Sequence, residues 1–155
     1  MKPQDTAPIH RFEEIESLFR WPSLALREYN ATGTQSKGMT KQVLFEATGK
    51  LPAELRYFEA STGGHSALER HDHVHNVVIL RGAGSVLLGD AIYAVTANDT
   101  VYIPSYTWHQ FYADQGQPLG FLCLVAGERD RPTRPTQKEL EELRANPAIR
   151  DWVKA

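Results

Sequence analysis

The sequence has little of what would place it in several large classes. Among its 155 residues there is one cysteine, Cys123, so no disulfide can close within the chain and a reducing, cytoplasmic setting is expected. Neither sign of charge dominates: 17 Lys and Arg stand against 19 Asp and Glu. No block of like charge runs along the chain, so neither nucleic acid nor a membrane surface is expected as a main partner. No apolar run approaches the roughly 20 residues of a membrane-spanning helix, and the opening MKPQDTAPIHRFEE lacks the apolar core of a secretory signal. Internal repeats and low-complexity segments are absent too. What is left, 41% hydrophobic and 23% charged residues, suits one globular domain with a single core.

The pattern along the chain is mostly that of short strands. Phe12, Ile15, Leu18 and Phe19 fall at helical spacing and predict a short N-terminal helix ended by Pro22. Gly33 and Gly38 then mark loop. Strands are predicted over 42–47, 54–61, 66–71, 75–81, 85–89, 91–96, 100–104, 108–113 and 119–126, with turn signals such as Gly63-Gly64, Gly89-Asp90 and Asn98-Asp99 between them. Such a series favours a β-sandwich or barrel over a βαβ fold. The proline-rich RDRPTRP (129–135) leaves the sheet, Thr136 to Glu139 has capping-box spacing, and Asn146-Pro147 predicts a last helix reaching Trp152. The expected domains are an N-terminal helix and arm (1–40), a barrel (41–128) and a helical tail (129–155).

Chemistry concentrates in LERHDHVHNVVILRGAG (68–84), where Glu69, His71, His73 and His75 stand at every second position. In a straight strand these side chains share one face, yet His71 and His75 would then lie roughly 13 Å apart. A bend between them would bring both to one ion and would swing His73 aside. His109, in NDTVYIPSYTWHQF, supplies a distant fourth imidazole. Glu69, His71, His75 and His109 are the predicted metal ligands, with His73 as a hydrogen-bonding neighbour or substitute. The bland reading of His73 is a solvated side chain, and Glu69 has a salt bridge to Arg70 or Arg81 as its alternative role. Three imidazoles and a carboxylate suit Mn, Fe, Ni, Co or Zn.

These two stretches resemble the paired motifs of the cupin superfamily. The first motif runs glycine, five residues, His-x-His, three or four residues, glutamate, six residues, glycine. Here it reads Gly63, Glu69-Arg70-His71, His75 and Gly82, with Glu69 in place of a histidine and His75 in place of the glutamate. The second reads Asn98, Pro104, Ser105, Tyr106 and His109, keeping proline and histidine but neither glycine, and its closing asparagine falls on Ala113. The resemblance spans about residues 55–126. It implies an all-β fold, the cupin double-stranded β-helix or jelly-roll barrel, with short N-terminal and C-terminal helices flanking it. It also implies a metal inside the barrel and a homodimer.

With PLGFLCLVAGERDRP, the same stretches are similar to a narrower group, the cupins that act on 1-methylthio-D-xylulose 5-phosphate. That similarity implies a manganese-dependent methylsulfurylase in methionine salvage, a sulfur-group transferase that moves the methylthio group to glutathione. It would release 1-deoxy-D-xylulose 5-phosphate, an isoprenoid precursor, with the metal stabilising an enolate. Cys123 would be the attacking thiol or the acid that reprotonates carbon; its alternative is a small buried hydrophobe. Tyr102, Tyr106, Trp108 and Tyr112 cluster round His109 in sequence, with Tyr106 and Tyr102 as candidates for substrate contact. Lys37 and Lys41, with Arg81 or Arg27, would hold a phosphate unless they are simply solvated. Two rival readings remain: a cupin dioxygenase using iron, and a non-enzymatic cupin that binds a small ligand.

Overall fold

The computed structural model describes residues 8–29 and 35–155. Its elements are β1 (Glu13–Ile15), β2 (Leu18–Arg20), β3 (Arg27–Glu28), β4 (Lys37–Phe45), β5 (Ala53–His65), β6 (His75–Leu88), β7 (Ala91–Thr96), β8 (Thr100–Ile103), β9 (His109–Ala113), β10 (Leu119–Ala126) and α1 (Gln137–Ala145). Among these residues no helix is long and apolar enough to cross a membrane. Gly33 and Thr34, expected in a loop, lie outside the described residues.

Four strands close the barrel. Both β5 and β6 pair with β10 on one side and with β9 on the other, every pair antiparallel. The expected jelly-roll barrel is thus the observed architecture, extended by β4 and β3 beyond β5. Alternation places Val77, Ile79, Phe111, Phe121 and Val125 in one core cluster inside it. Residues 75–88 form one strand of 14 residues, not the two expected strands with a turn at Gly82. The strand turns a corner there instead: before Gly82 it pairs with β8 and β10, after it with β7 and β9. Gly82 has φ +75°, and a Cβ would collide with the Pro118 carbonyl, so only glycine fits this corner.

The strand β4 begins at Lys37, ahead of the expected boundary at 41, and Gly38 lies inside it at a bulge between Lys37 and Met39. Residues 66–71 make isolated bridges in place of the expected strand: Glu69 with His109 and Arg70 with Thr133.

The predicted N-terminal helix is absent. A hairpin stands there, Ile15 opposite Leu18, turning through Glu16 and Ser17 at φ 51° and 64°. Two successive positive φ values mark a two-residue turn whose twist suits a hairpin. The aromatic residues that mimicked a helical stripe, Phe12 and Phe19, pack edge-on at 4.7 Å between ring centroids, and Trp21 packs edge-on against Tyr57 at 5.2 Å.

The capping box forms as expected at α1, with Thr136 and Glu139 bonding reciprocally. After it, residues 147–152 make turns, not a helix. Ile149 and Val153 are buried on Leu68, Leu87 and Tyr112, outside the barrel. Gln110, fully buried, fastens this tail: its amide donates to the carbonyls of Ser66 (2.8 Å) and Lys154 (2.7 Å), and its oxygen accepts from Tyr112 O–H (2.6 Å) and Lys154 N–H (3.1 Å).

Candidate metal centre

Three elements deliver the imidazoles. His75 opens β6, His109 opens β9, and His71 lies in the irregular segment that crosses from β5 to β6. That segment is pinned from two directions. Tyr106, at φ 54° in the turn after Pro104, donates its N–H to the His71 carbonyl at 2.7 Å. The Asp130 carboxylate accepts from Asp72 N–H (2.8 Å), His73 N–H (3.1 Å) and His73 Nδ1–H (2.7 Å). These bonds hold Asp130 well below the usual carboxylate range.

The bend so produced closes the distance that a straight strand would leave. The rings of His71 and His75 lie 4.4 Å apart between centroids, and those of His71 and His109 lie 4.9 Å apart. One nitrogen from each of His71, His75 and His109 lies within 4.8 Å of the other two. Nδ1 of His71 meets the His73 carbonyl at 2.7 Å and Nδ1 of His109 meets the Thr107 carbonyl at 2.9 Å. A carbonyl only accepts, so each Nδ1 carries the proton and each Nε2 keeps its lone pair. Among the described residues neither Nε2 has a hydrogen-bond partner, although both are buried.

Burial pushes all three imidazoles toward neutrality, His109 to about 4, with His75 and His71 also lowered. Neutral rings with free, convergent lone pairs fit a divalent cation of imidazole-tolerant type. Carbonyls that fix the tautomer are also the usual outer support of metal-bound histidine.

The bend does not swing His73 away as expected. It stacks on His71 at 3.7 Å, and its Nε2 faces His75 Nε2 at 3.1 Å. With Nδ1–H committed to Asp130, His73 Nε2 is placed either to hydrogen-bond His75 Nε2 or to share a cation with it. Glu69 has one carboxylate oxygen 3.9 Å from His109 Nε2 and the other 3.6 Å from Arg134. Burial raises its pKa against the opposing pull of Arg134 and Arg56.

A cavity of about 320 Å³ opens onto this cluster, lined among others by Glu69, His71, His73 and His75. An inner pocket of about 60 Å³ continues it between His75 and His109, walled by Met39, Phe58, Phe111, Phe121 and Cys123. Cys123 is therefore on the inward face of β10. Burial pushes its thiol up, opposed by the Arg56 guanidinium, whose Nη2 donates to Sγ at 3.4 Å.

Other residues singled out in the sequence lie elsewhere. Tyr102 and Tyr106 are 57% and 62% exposed and line neither compartment. Arg81 is taken up by Glu59 at 3.4 Å and the Ser17 carbonyl at 2.7 Å. Lys41 and Arg27 line a separate groove with His10 and Glu46. Lys37 is not among the residues lining the cavity, Trp108 stacks under Arg70, and Tyr112 belongs to the outer apolar cluster. The cations on the cavity wall are Arg56, Arg129 and Arg134. They had no counterpart in the sequence reading, because arginine on a strand or in a proline-rich tail is ordinarily surface decoration.

Comparison with known proteins agrees with this geometry. Residues 56–125 match the Cupin domain family. A curated relative from Rhodospirillum rubrum, 1-methylthio-D-xylulose 5-phosphate methylsulfurylase, is 48% identical over 139 residues, 89% of this chain and 88% of that protein. The crystal structure of a cupin-2 domain from Rhodospirillum rubrum is 47% identical with a TM-score of 0.82, covering 89% of this chain and 93% of the other. A cupin 2 conserved barrel protein from Rhodopseudomonas palustris is 46% identical with a TM-score of 0.83, covering 88% and 94%. A barrel closed by four antiparallel pairings, histidines converging at its mouth and identity over nearly the whole length lead to one conclusion: the chain belongs to the cupin family.

Proposed function

We propose that the protein is a metal-dependent methylsulfurylase. It acts on 1-methylthio-D-xylulose 5-phosphate, transfers the methylthio group to glutathione and releases 1-deoxy-D-xylulose 5-phosphate. The observation that carries this reading is the convergence of three neutral imidazoles beside a lone thiol in a largely apolar pocket. The near half-identity to the curated methylsulfurylase supplies the substrate.

His71, His75 and His109 hold the metal, with Glu69 or His73 completing the set. A divalent ion there supplies Lewis acidity toward the ketose oxygens. The aromatic wall of Phe58, Phe111 and Phe121 excludes water from the carbon being uncovered. In the balanced step, the glutathione sulfur attacks the methylthio sulfur and forms the new S–S bond. The C–S bond breaks with its electron pair left on carbon, so sulfur is oxidised and carbon reduced. Cys123, kept protonated by burial, delivers its proton from Sγ to that carbon. The thiolate left behind lies against the Arg56 guanidinium and is reprotonated from solvent through the cavity.

In this reading manganese is the ion, the enzyme works in the cytoplasm, and the reaction serves methionine salvage. A homodimer is supported by the outward side chains of Val78, Leu80, Leu124 and Tyr102, which leave an apolar area exposed on the sheet. A monomer by light scattering at micromolar concentration would remove that part.

The central test is anaerobic. The manganese-loaded protein, incubated under nitrogen with the substrate and glutathione, should yield deoxyxylulose 5-phosphate and the methylthio-glutathione disulfide by mass spectrometry. A loaded protein that forms neither would overturn the reading, and turnover only in oxygen would favour the iron dioxygenase.

A further inference from the structure

Arg56 is an unusual residue to find inside a barrel. It is 7% exposed and sits directly opposite Cys123 in the β5–β10 register, beside the stacked rings of Phe58 and Phe121. Among the described residues its Nη2 donates to Cys123 Sγ, while its buried Nε has no hydrogen-bond partner. The Glu54 carboxylate lies 3.7 Å from that Nε, too far to bond it, and the same oxygen accepts instead from Arg129 Nη2 at 2.9 Å. One carboxylate is thus shared between two guanidiniums.

Arg129 is itself fixed in place. Its Nη1 donates to the carbonyls of Ala126 (2.9 Å) and Gly127 (3.3 Å), so among the described residues Nε and one Nη2 hydrogen have no partner. Arg134, paired with Glu69 at 3.6 Å, adds a third cation on the same cavity wall. A buried guanidinium with unspent donors is costly unless a ligand completes it. Its planar fork matches the oxygens of a phosphate, and the low dielectric of the cavity strengthens the pairing.

The inner pocket offers the opposite chemistry. Met39, Phe58, Phe111 and Phe121 leave it apolar beside His75, His109 and Cys123. A ketose phosphate with a thioether at one end and a dianion at the other has one orientation that satisfies both. We infer that Arg56 and Arg129, with Arg134 at the rim, form an anion subsite that takes the substrate's phosphate, opposite the inner pocket that takes its methylthio group. This rests on the reaction proposed above for the identity of the ketose, and it reassigns the phosphate contact from Lys37, Lys41, Arg27 and Arg81.

The test needs no turnover. Calorimetry on the protein with its metal bound would compare D-xylulose 5-phosphate with D-xylulose, neither of which carries the group to be transferred. The phosphorylated sugar should bind at least about tenfold more tightly, the loss expected for one charge-assisted pair. Arg129→Gln and Arg56→Gln should each erase most of that preference and leave D-xylulose affinity and metal content unchanged. Arg129 is partly exposed, so its variant keeps the test sound if burial of Arg56 makes the other unstable.

Equal affinity of the two sugars for the wild type would overturn the subsite, as would an undiminished preference in Arg129→Gln. A loss of glutathione affinity without loss of phosphate preference would also overturn it, since the arginines would then hold the thiol's carboxylates. A phosphate preference in a protein that transfers no methylthio group would leave the subsite standing and remove only the reaction.

Discussion

The strand β5 buries charge on both of its faces, and the two faces differ in how that charge is met. On the outer face Glu59, 1% exposed, accepts at Oε2 from Tyr57 O–H at 2.6 Å, Phe19 N–H at 3.2 Å and Arg81 at 3.4 Å, while its Oε1 has no hydrogen-bond partner among the described residues and faces Arg20 at 3.7 Å. Its partners all come from the chain, and they dock the N-terminal hairpin on the barrel. On the inner side, Arg56 Nε and the Nε2 atoms of His71 and His109 are buried without partners among the described residues. A buried polar group bound by its own chain and away from any cavity builds architecture; one left unmet on a cavity wall is arranged for something else. Exposure alone does not separate the two clusters, because both are buried. Position does: Arg56 and His71 line the cavity and His109 its inner pocket, whereas Glu59 lines neither.

Substitutions on the two faces are therefore expected to fail in different ways. The largest effect is expected at His109→Ala. Even residues that merely support ligands change metal affinity by about 10–100-fold, so removing a ligand should take metal content to background and abolish turnover in a chain that still folds. Metal near one per chain in this variant would move the centre elsewhere. Next is Cys123→Ala, which should lower turnover by about 10²–10⁴-fold, the range for a positioned proton donor, with metal content unchanged. Undiminished turnover would reduce Cys123 to packing.

Glu59→Gln should reverse the pattern. Weakening a charged acceptor for several donors costs about 1–3 kcal/mol, read as a lower midpoint in urea, while metal affinity per folded chain stays the same. Loss of metal at full stability would blur the distinction between the faces. Smallest is Asp130→Asn, which slackens the segment carrying His71 and His73 without removing a ligand. About tenfold weaker metal binding, by competition with a chelator, is expected there.

Much of this was legible in the sequence. His71, His75 and His109 are brought together, and the alternation in GFLCLVA was sufficient to allow an inward Cys123. The strands were legible because period-two patterning follows from one buried face. The N-terminal hairpin was not, because its turn uses Glu16 and Ser17 at positive φ, where glycine or asparagine would have advertised it. Phe12, Ile15 and Phe19 then fell by coincidence at helical spacing.

The stacking of His73 on His71 was hidden for a different reason. Its position depends on Asp130, 57 residues away, and no local pattern carries such a bond. The arginines were hidden in the same manner: Arg56 meets Cys123 across the β5–β10 pair, which is a property of the register. Local periodicity reports faces, and a site is made of encounters between faces.

The Asp130 clamp has a consequence for the order in which the protein matures. His71, His73 and His75 leave the ribosome well before Asp130, and the segment they occupy is held in its bent form by bonds from beyond the last barrel strand. A nascent chain halted within β10 would carry His71, one of its three converging histidines, on a crossover still lacking the Asp130 clamp. Full-strength metal binding is accordingly expected only once Asp130 has emerged, and a chain truncated after the barrel should hold the ion about as weakly as Asp130→Asn does.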